Sequence, residues 1–182
     1  MGKIETAPLG VMMKERQQSF QTLLECHRKI VFKVAGAYCR HPDERQDLIQ
    51  EISVQLWKAF PGYDESRKFS TWMYRIALNV AISFARKANH REGKLVSLSE
   101  EGLPLTSQPP LPAVHRGEGE LDFLYRFIAE LDELNRALML LYLEENSYGE
   151  IAEILGITET NVATKISRLK QRIRDAAQME NQ

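Results

Sequence analysis

Apolar positions recur at helical intervals through most of this chain, and no segment alternates as a strand would. Phe20, Leu24, His27, Val31 and Tyr38 line one face of a helix expected from about Lys14 to Arg40, which Pro42 stops. Asp43, with Gln46 three residues on, is expected to cap a second helix whose inner side carries Leu48, Ile49, Ile52, Leu56 and Phe60. Pro61-Gly62-Tyr63-Asp64 breaks that helix into a loop reaching about Lys68. A third helix, Ser70 to about Lys87, turns Phe69, Trp72, Met73, Ile76, Val80 and Phe84 inward.

From about Ala88 to Gly119 the period is lost, and Pro104, Pro109, Pro110 and Pro112 interrupt a Gly-, Ser- and Gln-containing segment. Beyond it, Leu121, Leu124, Ile128 and Leu131 form a new seam, and Leu134 to Leu143 is apolar nearly all round, as the central helix of a small bundle is. The pattern predicts an all-α protein: a mobile tail over 1–13, a helical domain over 14–90, a flexible linker over 91–119 and a second helical domain over 120–177.

The sharpest local signals lie between Ser147 and Arg174. Ser147 and Glu150 have the spacing of a capping box, Gly156 supplies a positive-φ exit, and Thr158 can cap the helix that follows. That is a helix-turn-helix. In its second helix Val162, Ile166, Leu169 and Ile173 stand four, three and four residues apart, which leaves two polar lines for solvent or a ligand. One holds Asn161, Lys165, Arg168 and Arg172, the other Thr160, Thr164, Ser167 and Gln171. Amides, hydroxyls and cations so arrayed suit base edges and phosphates in a major groove.

Charge sharpens this picture only when it is mapped. The net value of -1 conceals seven basic residues and one acid from Arg67 to Lys94, five and one from Glu159 to Arg174, and six acids against one arginine from Glu118 to Glu133. On the third helix Tyr74, Arg75, Asn79, Arg86 and Lys87 are left outside the core. Aromatic rings among cations suit unpaired bases, which stack while their phosphates are held. Cys26 and Cys39 fall in one expected helix, about 20 Å apart at about 1.5 Å per residue, so they share neither a disulfide nor a metal. No cofactor is expected, and no apolar run is long enough for membrane insertion, which points to a cytoplasmic protein.

Two blocks in this order resemble bacterial sigma factors. DLIQEISVQLWKAFPGYDESRKFSTWMYRIALNVAISFARK, Asp47 to Lys87, is similar to their region 2, and LDELNRALMLLYLEENSYGEIAEILGITETNVATKISRLKQRI, Leu131 to Ile173, to their region 4. With a short linker between them, the chain resembles the extracytoplasmic-function group of the sigma-70 family. The resemblance implies a subunit without catalysis of its own, which binds core RNA polymerase and directs it to promoters. It implies docking on the β′ coiled coil through Asp47, Gln50, Glu51 and Trp57. It implies capture of melted minus-10 DNA by Tyr63, Lys68, Phe69, Ser70, Trp72, Tyr74, Arg75 and Asn79.

The helix-turn-helix would read minus-35 duplex through Thr160, Asn161, Ala163, Thr164, Lys165, Arg168 and Arg172, with the β flap beside it. Ala163 stands where relatives often carry a cation, and Asp132 where a proline is common, at a helix entry. Family members are often held by an anti-sigma protein, so such a partner is implied as well. The competing readings are a stand-alone helix-turn-helix regulator acting without polymerase, which leaves the first domain unexplained, and a DNA-acting enzyme, for which no acid cluster or nucleophile setting is present.

Overall fold

A computed structural model describes the backbone of residues 9–39, 41–96 and 120–180, and every regular element in them is helical. The first unit packs α1 (Leu9–Tyr38), α2 (Pro42–Ala59) and α3 (Phe69–Val96) against one another, with a single 3-10 turn at Phe60–Gly62 closing α2. Its centre is Val34, Ala35, Leu48, Ile52, Leu56, Met73, Ala77 and Leu78, all essentially without exposure. Each large side chain among them contributes about 1.5 to 3 kcal/mol by leaving water. His27 packs its ring against Phe69 at 5.4 Å, the packing role its place in the apolar line suggested.

Three boundaries differ from expectation. The helix α1 starts at Leu9, five residues before Lys14, so the expected tail keeps only residues 1–8 outside the described residues. Asp43 is not the cap of α2: His41 holds the N-cap position with extended backbone and no side-chain bond, and Pro42 opens the helix. Proline's fixed φ and missing N–H fit a first helical turn, so it serves as a start there, while Asp43 and Glu44 face the positive end of the helix dipole. The helix α3 continues to Val96, which takes in the first residues of the expected linker; residues 97–119 lie outside the described residues.

The second unit is α4 (Glu120–Glu130), α5 (Glu133–Leu143), α6 (Tyr148–Leu155) and α7 (Glu159–Glu180). Asp132, the residue expected to affect only a helix entry, is the N-cap of α5 and accepts from the Asn135 amide at 3.0 Å. In α5, Ala137, Leu138, Met139 and Leu141 are buried, and α4, α6 and α7 all pack on it.

The two units also touch. Packing joins α1 to α4 and α5, and α3 to α5 and α6. Tyr38 donates its hydroxyl to the Glu133 carbonyl at 2.6 Å, and the Arg136 guanidinium lies over the Tyr38 ring. Cys26 is exposed, Cys39 buried, and both are free thiols. Among the described residues no helix is long and apolar enough to cross a membrane, and no group of three or more His, Cys, Asp or Glu is placed to hold a metal ion.

Candidate nucleic-acid interface

The helix-turn-helix forms through its local bonds. Ser147 Oγ accepts from the Glu150 amide at 3.2 Å while the Glu150 carboxylate accepts from the Ser147 amide at 3.0 Å, the reciprocal box that satisfies free donors at a helix start. Gly156 ends α6 at φ 68°, a left-handed conformation that a Cβ would strain. Thr158 Oγ1 then accepts from the Asn161 amide at 3.2 Å to open α7.

Val162, Ile166 and Leu169 are buried, and Thr160, Asn161, Thr164, Arg168 and Arg172 are exposed, with Ala163 and Lys165 half-buried at the edge. The face is therefore displayed as its spacing indicated. Its members are not equally available. Thr164 spends its hydroxyl proton on the Thr160 carbonyl, and Arg172 lies over the Phe127 ring at 5.7 Å.

The residues expected to hold an opened strand fall into separate places. Tyr63, Phe69 and Trp72 form one aromatic cluster with Phe60; the Tyr63–Trp72 and Phe69–Trp72 centroids are 5.1 and 5.2 Å apart. The loop beneath is tied by Tyr63 Oη donating to the Arg67 carbonyl and by Asp64 accepting from the Ser66 amide. Ser70 is half-buried and Arg75 exposed. Asn79 sits two turns away in a cleft of about 1000 Å³ between α2 and α3, where Asp47 and Glu51 also stand. Tyr74, expected outside the core, is buried, with its hydroxyl 3.5 Å from Glu144 of the second unit. Burial pushes its phenol pKa well up, so it remains protonated.

The residues expected to dock a partner, Asp47, Gln50, Glu51 and Trp57, are all exposed on one arc of α2. Trp57 keeps an open face while its ring meets Phe20 edge-on at 5.2 Å, and Val54 is exposed beside it. Two carboxylates, Asp47 and Glu51, thus share the exposed side of α2 with the apolar Val54 and Trp57.

Sequence reasoning missed the acidic side of the inter-unit contact. Lys68 Nζ is 2.7 Å from Glu150 Oε1 and Arg67 Nη1 is 3.2 Å from Glu153 Oε1. The Lys68 ammonium, with the Ser147 amide and hydroxyl, holds the Glu150 carboxyl down to about 2 from an ordinary 4.5. A carboxylate whose folded pKa is depressed adds stability that is complete above its unfolded value and is lost as pH falls through the folded one. Melting temperature should therefore decline between about pH 4.5 and 2 more steeply in the wild type than in Glu150→Gln. Parallel acid limbs would refute the pairing.

The family model for Sigma-70 region 2 matches residues 23–91, and that for Sigma-70, region 4 matches residues 123–173. The chain is 28% identical over 170 residues to the ECF RNA polymerase sigma factor SigW of Bacillus subtilis, covering 88% of this chain and 90% of that one. It is 31% identical over 130 residues to SigM of the same organism, covering 71% and 77%. Among solved structures it resembles CnrH in complex with the cytosolic domain of CnrY, with a TM-score of 0.63 at 19% identity over 90% of both chains. It also resembles the sigma factor RpoE in complex with the anti-sigma factor NepR from Bartonella quintana, at 0.63 and 18% over 91% of this chain and 98% of that one. At such identities the likeness of structures is one of fold.

Proposed function

Since the chain belongs to the extracytoplasmic-function group of the sigma-70 family and, as a sigma factor, directs RNA polymerase to specific promoters, we propose how its residues divide that work. The exposed face of α7 reads the minus-35 element as duplex. Asn161, Thr160 and Thr164 offer groups to base edges, Lys165 and Arg168 to bases or phosphates, Arg172 a phosphate contact, and Ala163 leaves room for close approach. Tyr63, Phe69 and Trp72, with Lys68, Ser70 and Arg75 near them, hold the melted minus-10 strand; Asn79 meets it two turns further along α3, and Tyr74, buried with its hydroxyl toward Glu144, lies beneath that surface. The arc of Asp47, Gln50, Glu51 and Trp57 docks on the β′ coiled coil of core polymerase, and the second unit lies beside the β flap. The chain works in the cytoplasm, and an anti-sigma protein is a further partner proposed for it, since the RpoE that it resembles in fold is seen in complex with the anti-sigma factor NepR.

The observation that carries this reading is the pairing of a displayed polar recognition helix with an aromatic cluster beside cations on a separate unit. No step of chemistry falls to this chain. Binding contributions from duplex contact, polymerase docking and stacking offset the few kcal/mol that unstacking each base costs. Run-off transcription with core polymerase and genomic promoter fragments tests it: added chain should confer defined start sites, and a folded chain that confers none overturns it. Arg168→Ala should cost about 1 to 3 kcal/mol in binding and relax preference at one minus-35 position. A uniform loss on all promoters would reassign that side chain to phosphate.

A further inference from the structure

Thr164 stands in the second turn of α7, exposed on the polar face, with the short Ala163 beside it. Its Oγ1 lies 2.9 Å from the Thr160 carbonyl oxygen. A carbonyl has no proton to give, so the hydroxyl is the donor and its single proton points back along the helix. What Thr164 turns outward is lone pairs and a methyl group. Thr160, one turn earlier on the same stripe, is the contrasting case. Its own Oγ1 makes no hydrogen bond among the described residues, so that hydroxyl is open to donate or to accept.

Major-groove edges divide by the same criterion. Adenine offers an amine at N6 and cytosine one at N4, whereas guanine O6 and thymine O4 are acceptors that need a donor. Every base pair carries one such amine, on adenine in A·T and on cytosine in G·C. A group that only accepts therefore does not tell A·T from G·C; it tells which strand holds the amino base. Opposite a keto oxygen, Oγ1 meets a second acceptor, and turning the hydroxyl round to donate would give up its bond to Thr160. Arg168, one turn further along, makes no ion pair or hydrogen bond among the described residues and keeps its planar fork for guanine or phosphate. Affinity thus has a source other than Thr164, which is left to set preference.

We propose that Thr164 is a strand selector within the minus-35 contact: its hydroxyl, committed as donor to the Thr160 carbonyl, accepts from adenine N6 or cytosine N4 and disfavours guanine and thymine on the same strand at one position. The proposal rests on the reading of α7 as the minus-35 helix and names the base class that one of its side chains takes.

Selection from a promoter library tests it, with double-stranded fragments randomised over the minus-35 element, bound by the full-length chain with core polymerase, recovered and sequenced. One position should favour adenine or cytosine on one strand by about three- to tenfold over guanine or thymine, the worth of one hydrogen bond. Thr164→Val keeps the shape and removes the acceptor; it should flatten that position alone and leave the melting temperature unchanged. Thr164→Ser keeps a hydroxyl able to make the same bond to Thr160 and should retain the preference, and Thr160→Val should not flatten that position. On a single promoter, purine in place of adenine, or pyrimidin-2-one in place of cytosine, deletes the amine. That change should weaken wild type about three- to tenfold more than it weakens Thr164→Val, a coupling that a general loosening of the helix cannot imitate.

A Thr164-dependent preference for guanine or thymine would show the hydroxyl donating, and a thymine preference that survives Thr164→Val would belong to the methyl group. Equal loss at every position, or none, would leave Oγ1 without a base to read. Each of these overturns the proposal. Run-off transcription on the same preparations separates it from the minus-35 reading. Defined start sites and sequence enrichment with no response to Thr164→Val would remove the strand selector alone, whereas no enrichment at any position would remove the minus-35 reading and the proposal with it.

Discussion

Arg136→Met is expected to lower the melting temperature by roughly 6 to 12 °C, for a loss of about 3 kcal/mol in a chain of this length. The Arg136 guanidinium donates to three main-chain carbonyls, Ala37 at 3.3 Å, Ala129 at 2.7 Å and Leu131 at 2.9 Å. Ala37 lies in the last turn of α1, and Ala129 and Leu131 flank the end of α4. Helix ends carry carbonyls without intrahelical partners and a partial negative charge, so one cation serves both there. Methionine keeps much of the volume over the Tyr38 ring and removes every donor. Each stranded acceptor costs about 1 to 3 kcal/mol when fully buried and less at this half-buried junction. The Tyr38 hydroxyl, kept protonated by burial, still donates to Glu133 and limits the loss. Calorimetry decides the matter, and a fall under about 2 °C would mean that apolar packing, not the guanidinium, joins the units.

Trp72→Ala is expected to reduce open-complex formation about 10- to 100-fold while leaving affinity for a minus-35 duplex fragment unchanged. Stacking of an unpaired base on an aromatic ring is worth about 1 to 3 kcal/mol, and Trp72 is half-exposed within a cluster of rings about 5 to 6 Å apart. The same ring also packs on Phe69, so part of any effect could come from folding. Trp72→Phe separates the two, since it keeps a stacking face and should retain most of the activity. Permanganate reactivity of melted thymines, followed beside melting curves, reads the outcome. Equal loss of duplex binding, or full opening by a folded Trp72→Ala, would exclude a stacking role.

The helix-turn-helix was legible residue by residue because its determinants are local. A capping box spans four positions, a left-handed glycine is a property of its own backbone, and a four, three, four seam needs only helical geometry. The same reasoning misread Pro42 and Asp43. Proline is compatible with both an end and a first turn, and the backbone at His41 decides between them. It also stopped α3 too early, because the apolar period fades before the helix does.

The all-helical class, the two units and the polar face of α7 were determined by the order of residues alone, through interactions among neighbours within about a helical turn. Tertiary packing alone decided that Tyr74 is buried, that Asn79 joins Asp47 and Glu51 in one cleft, and that Arg136 unites the ends of two helices. It also decided that Lys68, exposed by its spacing, faces Glu150 at a separation of 82 residues. Helical periodicity states which side of a helix leaves water and is silent about what lies opposite. An ion pair between distant residues depends on how two finished surfaces meet, and that is settled only when both units are folded.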